Sequence, residues 1–346
     1  MNSPEQSATD HTTADVTVVI PTFNRPESLH RAVESLFWQG ARHTGFRVLI
    51  ADNSQDASAR FAYEALLAAA PDTIALTYLH VPEPGVANAR NAAMEAVETP
   101  LVAFLDDDQS APIEWLGNLL AAYERFGAAV TFGPVLTALP EEITRHRAYF
   151  EQFFARNPDR ESGIIRKPYG CGNALLDTRQ VAGPRPWFDT RMNEVGGEDD
   201  LLFARIRKAG GKFAWAARAP VNEHPLPQRI RLRYTLRRAL AYGQGPCTLA
   251  RRANPPQYGR LVMWMGIGAG KFALHGAAWI VQFLIRHPRR AFQLDEAVRG
   301  LGKVLFWKEM RFYGNATVSQ APAVPTSGRA DETGPTGPGS TSASGR

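Results

Sequence analysis

The 346-residue sequence predicts an α/β fold, a mostly parallel central sheet flanked by helices, followed by a helical C-terminal segment of different character. Three observations carry that prediction. From Val16 to about Leu136, short apolar runs alternate with helical segments, the pattern of strands joined by crossover helices. The run Leu101–Leu105 is apolar at every position, as in a strand buried on both faces. Charge then divides the chain: residues 1–228 hold 21 Lys and Arg against 29 Asp and Glu, whereas residues 229–312 hold 16 against 3.

Composition sets the bounds. Hydrophobic content of 44% and charged content of 21% are those of a globular protein with a substantial core. Two cysteines, Cys171 and Cys247, argue against a disulfide framework and fit a reducing compartment. Residues 1–14 are polar, without the apolar run of a secretory signal, and read as a loose tail. Residues 315–346 are rich in Pro, Gly, Ser and Thr and read as a disordered tail. Between them lie an α/β domain over 15–228 and a basic, apolar helical segment over 229–314.

Strands are expected at Val16–Ile20, Arg47–Ala51, Ile74–Leu79, Leu101–Leu105 and Ala129–Phe132. The helix Pro26–Gln39 opens on Pro and Glu, sets Leu29, Ala32, Val33, Leu36 and Phe37 on one face, and stops at Gly40. Tyr63–Ala70 and Val86–Val97 read as further helices. Pro140–Arg166 is charged and aromatic, a helix with a loop. Gly170–Leu176 is a short strand behind a glycine turn, and Asp199–Ala209 a helix stopped by Gly210 and Gly211.

In such sheets ligands bind beyond the carboxyl ends of the strands. The residues at those ends are therefore the candidates. Pro21 and Thr22 close the first strand, with Arg25 in the following turn. Asp52 follows the second, where it can accept a hydrogen bond from a ligand or cap the next turn. Gly85 opens a helix bearing Arg90, so free amides and a guanidinium face the same region. Asp106, Asp107 and Asp108 follow Leu105 without a spacer. Three adjacent carboxylates are costly without a cation or strong donors, and Mg2+ or Mn2+ uses one or two carboxylates together with substrate phosphates. Gly196-Gly197-Glu198-Asp199-Asp200 places acids at a helix start, where they cap the helix or face a ligand. Asn222-Glu223-His224 adds a histidine able to serve as a third cation ligand.

Taken together and in this order, these pieces resemble family 2 glycosyltransferases, nearest the succinoglycan-type exopolysaccharide glucosyltransferases of bacteria. The resemblance runs from Val16 to about Gly245 and rests on VTVVIPTFNRPESL, PGVANARNAA, AFLDDDQ, CGNALL and GGEDDLLFARIRKAG. It implies a GT-A-like fold and inverting transfer from a nucleotide-diphosphate sugar, UDP-hexose first, with Mn2+ or Mg2+ as cofactor. By resemblance, the backbone around Pro21 and Thr22, with Asp52 and Arg90, holds the nucleoside, and Arg25 belongs to the nucleotide-sugar site. Asp106 and Asp108 form a metal-binding DxD element, with Asp107 near the ribose or sugar. Gly172 and Asn173 border the sugar pocket. Asp199 is the catalytic base, Glu198 positions hydroxyls, and His224 adds a contact to metal or diphosphate.

The expected acceptor is a saccharide or lipid-linked saccharide in cell-surface polysaccharide synthesis. The alternatives are transfer to a polyprenyl phosphate and a non-catalytic nucleotide-sugar-binding protein. A nucleotidyltransferase needs a glycine-rich basic opening loop, and Pro21-Thr22-Phe23-Asn24-Arg25-Pro26 is not one. A glycosidase also uses paired carboxylates but gains nothing from an acidic triplet at a nucleotide edge.

The basic segment points to an anionic membrane surface. Nucleic acid is not expected, since no recognition motif accompanies the arginines. Leu261–Ile285 is long enough to span a bilayer. Lys271, His275, Gln282 and four glycines favour instead an in-plane helix or hairpin, or packing on the α/β domain. The expected location is cytoplasmic, peripheral on the inner face of the cell membrane.

Overall fold

A computed structural model describes residues 15–40, 45–194 and 196–307. The expected tails at 1–14 and 315–346, and the end of the basic segment from 308, lie outside the described residues.

The strands are β1 (Val16–Thr22), β2 (Arg47–Asp52), β3 (Ala75–His80), β4 (Leu101–Leu105), β5 (Gln109–Ser110), β6 (Val130–Phe132), β7 (Val135–Thr137), β8 (Gly163–Ile165), β9 (Asn173–Asp177), β10 (Phe213–Trp215) and β11 (Val221–Glu223). The helices of the α/β part are α1 (Pro26–Gly40), α2 (Arg60–Ala69), α3 (Val86–Ala96), α4 (Trp115–Phe126), α5 (Arg147–Phe154) and α6 (Glu198–Lys208). Eight strands form one sheet in the order β3-β2-β1-β4-β9-β6-β10-β8. Strands β3, β2, β1 and β4 run parallel, as does β10 to β6; β9 and β8 run against their neighbours. The expected mostly parallel sheet is present, in a GT-A-like arrangement with helices on both faces.

Alternation along β1 explains the double-sided burial. Val16, Val18 and Ile20 belong to one core with Leu29, Leu36 and Trp115 of α1 and α4, while Val19 belongs to a second core with Ala87 and Ala93 of α3 and Leu202 and Phe203 of α6. Both sheet faces must therefore be apolar, and β4 is buried throughout.

Two registers position the candidate residues. In β9, Asn173 pairs with Leu105, so Gly172 comes beside Asp106. In the small sheet β5-β11-β7, Glu223 pairs with Gln109, immediately after the acidic triplet.

The C-terminal segment forms α7 (Leu232–Arg252), α8 (Tyr258–Leu284) and α9 (Arg290–Val304). Glycines let these helices approach closely. A Cβ on Gly243 would lie 2.3 Å from the Arg299 carbonyl oxygen, and one on Gly268 would lie 2.7 Å from that of Gly300. Tyr149, Phe150 and Phe154 of α5 pack with Ile230 and Ala291 in a third core, which ties the segment to the α/β domain. The expected Leu261–Ile285 helix is continuous and packs on α9. No helix among the described residues is long and apolar enough to cross a membrane.

Candidate active site

The acidic triplet is held from three directions. Thr22 Oγ1 donates to Asp107 Oδ2 at 2.9 Å, and Arg25 donates to Asp107 Oδ1 at 2.9 Å. Arg25 and Arg229 each lie 3.4 Å from Asp108 Oδ2. The backbone of His224 donates to the Asp108 carbonyl at 2.7 Å. Burial pushes the Asp107 carboxyl up to about 6 against the pull of Arg25. Burial also raises the Asp106 carboxyl, with Arg90 opposing it.

Arg90 is the centre of the arrangement. It projects from α3 into the buried space between the Phe104 and Phe188 rings, 5.9 and 5.7 Å from their centroids. One guanidinium nitrogen hydrogen-bonds Glu198, and another lies 3.5 Å from Asp106 Oδ1. A single side chain thus joins the triplet to the Glu198-Asp199 pair. Burial raises the Glu198 carboxyl, and Arg90 counters it. Gly197 precedes this helix at a φ of +92°, in the left-handed region that glycine enters without strain.

Asp199 is half-buried in the first turn of α6, accepting from the Cys171 amide at 3.1 Å and the Asp200 amide at 2.8 Å. The next residue, Gly172, lies against the triplet. A Cβ there would fall 2.1 Å from Asp106 Oδ2 and 3.1 Å from Arg156. The Cys171–Gly172 turn therefore carries Asp199 on one side and Asp106 on the other, and the missing Cβ at Gly172 leaves room for the Asp106 carboxylate.

Asp52 and Asn173 are in different circumstances. Asp52 is fully buried and accepts from the Ser54 amide and hydroxyl, the Ala59 amide and the Tyr78 hydroxyl, at 2.7–3.0 Å. Its carboxylate organises the loop after β2. Asn173 uses its amide nitrogen on the Pro134 and Ala219 carbonyls, while its oxygen accepts from the Trp115 indole. It fixes the start of β9. Pro21 is half-buried at the carboxyl end of β1, beside Thr22.

His224 and its neighbour divide along strand geometry. Successive residues of an extended strand face opposite ways, so Glu223 and His224 diverge. The His224 ring Nε2 pairs with Ser110 Oγ at 2.9 Å. Glu223 faces Arg156 at 3.5 Å, and burial pushes its carboxyl up to about 7. Sequence reasoning missed Glu223, Arg156 and Arg229 as parts of the site. The alternation of Asn222, Glu223 and His224 was the available signal for the first; the two arginines stand in segments without any local pattern.

The donor set can be tested against a hard divalent cation. Asp106, Asp107, Asp108, Glu198, Asp199 and Glu223 confront Arg25, Arg90, Arg156 and Arg229, six carboxyls against four guanidiniums. Fully ionised, the cluster is two positive charges short. Among the described residues no group of three or more His, Cys, Asp or Glu forms a metal cage. Mg2+ and Mn2+ do not need one when phosphates complete the shell, so the residues fit such an ion.

The chain matches the family model "Glycosyl transferase family 2" over residues 17–178. It is 30% identical to the succinoglycan biosynthesis protein ExoM of Rhizobium meliloti, over 89% of this chain and 99% of that one. It is 28% identical to the pre-mycofactocin glycosyltransferase of Mycobacterium tuberculosis, over 74% of this chain and 53% of that protein. Among solved structures it resembles a mannosyltransferase from Pyrobaculum calidifontis, determined with GDP-mannose and Mn2+, at a TM-score of 0.53 and 18% identity over 85% and 88% of the two chains.

Proposed function

The chain belongs to glycosyl transferase family 2, and on that premise we propose that it transfers a hexose, with inversion, from a UDP-sugar to a saccharide or lipid-linked saccharide acceptor. The observation that carries this reading is the convergence of two acidic sites on the Cys171–Gly172 turn, bridged by Arg90. Inverting transfer needs a base on one face of the anomeric carbon and charge neutralisation on the other. Asp199, held by two amides, accepts the proton of the attacking hydroxyl. Glu198, fixed by Arg90, orients the hydroxyls around it. In this reading Thr22, Arg25 and Asp107 shape the nucleotide edge, and the Arg25 and Arg229 guanidiniums bind the diphosphate oxygens.

Asp106 and Asp108 hold Mn2+ or Mg2+ in this reading. The bound ion would neutralise the departing diphosphate. The membrane location expected from the basic segment belongs to the same proposal, since a lipid-linked acceptor is met at the inner face of the cell membrane. A donor panel with Mn2+ or Mg2+, scored for nucleotide release with and without lipid-linked saccharide or polyprenyl phosphate, tests it. Metal-dependent release from a UDP-sugar that rises with a saccharide acceptor supports the reading; no release from any donor contradicts it.

A further inference from the structure

Helix α8 is inside out for a helix in water. The side that meets α9 carries its polar residues: Lys271 pairs with Glu296 at 2.6 Å and His275 with Gln293 at 2.8 Å. The side turned away, at successive spacings of four, seven, seven and three residues, carries Met263, Ile267, Leu274, Val281 and Leu284, which are 41–74% exposed. Amphipathic helices of soluble proteins point the other way, and a continuous exposed apolar face marks a docking surface. Residues 261–285 contain no acidic side chain, and arginines bracket the stretch: Arg251, Arg252 and Arg260 before it, Arg286, Arg289 and Arg290 after it.

The bracketing charges select the occupant. A second copy docked through α8 would lay one basic end against another in either orientation, because both ends are basic. The segment after Tyr313 has only Val318 and Val324 as large apolar residues, too few to cover a 27-residue helix. A bilayer with anionic headgroups satisfies the apolar face and both arginine clusters together. Its orientation follows from α9, which lies along α8 and carries Asp295, Glu296, Arg299 and Lys303. That partner stays in the headgroup layer or outside it, so α8 lies in the membrane plane.

We infer that the outer face of α8 seats this protein flat on an anionic lipid bilayer, with its apolar stripe at the headgroup–acyl boundary and the flanking arginines among the headgroups. The inference rests on the membrane location proposed above and names the surface responsible. Lys271, His275 and Gln282 cease to count against membrane contact, because they lie on the half-buried side of the helix.

Vesicle co-sedimentation of the full chain tests this without any donor present. Wild type is expected to sediment with phosphatidylcholine vesicles containing phosphatidylglycerol, and to be released as salt rises. The variant carrying Ile267→Gln, Leu274→Gln and Val281→Gln should lose about tenfold or more in vesicle affinity while keeping the wild-type melting curve. Three results overturn the inference: wild type left in the supernatant with every vesicle, a triple variant that binds as well as wild type, or a solution dimer that the triple substitution dissociates. Donor hydrolysis measured without vesicles reads the catalytic centre separately. A wild type that turns over donor yet ignores all vesicles therefore ends this inference and leaves the transfer reading intact.

Discussion

Arg90 and Glu198 stand 108 positions apart in the chain and meet as a buried guanidinium–carboxylate pair, with Asp106 beside the same guanidinium. Removing one member strands the other, which costs about 3–5 kcal/mol for a buried pair. Arg90→Met should lower stability to urea by about that much and abolish transfer. Glu198→Gln keeps the shape and an acceptor for Arg90, so it should cost less stability while still impairing transfer. A double-mutant cycle showing no coupling between the two positions would remove Arg90 from its bridging role.

Two glycines should fail in opposite ways. A Cβ at Gly172 meets the Asp106 carboxylate, so Gly172→Ala should weaken Mn2+-dependent donor binding and change the melting temperature little. A Cβ at Gly302 would lie 2.2 Å from the Leu240 carbonyl oxygen, where α9 crosses α7. Gly302→Ala should cost about 1–3 kcal/mol of stability, as overpacking does, and leave donor affinity unchanged. Isothermal titration and urea melts on both variants separate the cases.

The Asp108 carboxylate and the nearby His224 ring should also differ. Asp108→Ala should weaken metal-dependent donor binding by about tenfold or more, near 1.4 kcal/mol, and chelation of the wild type should do the same. His224 has its ring on Ser110, so His224→Ala should have a much smaller effect. Equal losses in the two variants would make the His224 ring a cation ligand after all.

Glu223 has a distinct pH signature. Burial raises its folded pKa from 4.5 to about 7. The folded state therefore holds a proton that the unfolded state releases, and this contribution is complete below about pH 4.5 and lost as pH rises through 7. Glu223→Gln should flatten the decline in stability across that window. In thermal melts with chelator present, the variant should gain on wild type as pH rises from 5 toward 8; parallel curves would contradict the burial account.

Much of this was legible in the sequence because the signals were local. The apolar run at Leu101–Leu105, the abrupt acidic triplet and the glycine pair before Glu198 each predict an element and its end. β9 was harder: its antiparallel insertion between β4 and β6 depends on packing across the sheet, which an apolar run does not encode. Asp52 and Asn173 were legible as residues at strand ends, but not their commitment to Tyr78, Trp115 and Ala219, which arrive from distant segments. Arg156 and Arg229 were invisible for the same reason. In α8 the sequence revealed Lys271 and His275, and only the partner helix explains why they are tolerated.

Asp199, held by the Cys171 amide, is the proposed base that activates the acceptor. Single-turnover transfer by Asp199→Asn, measured beside donor binding by titration, tests that role most directly. Donor affinity should stay close to wild type while the rate falls by about 10²–10⁴-fold, the usual contribution of a general base. Transfer at a near-normal rate would contradict that role.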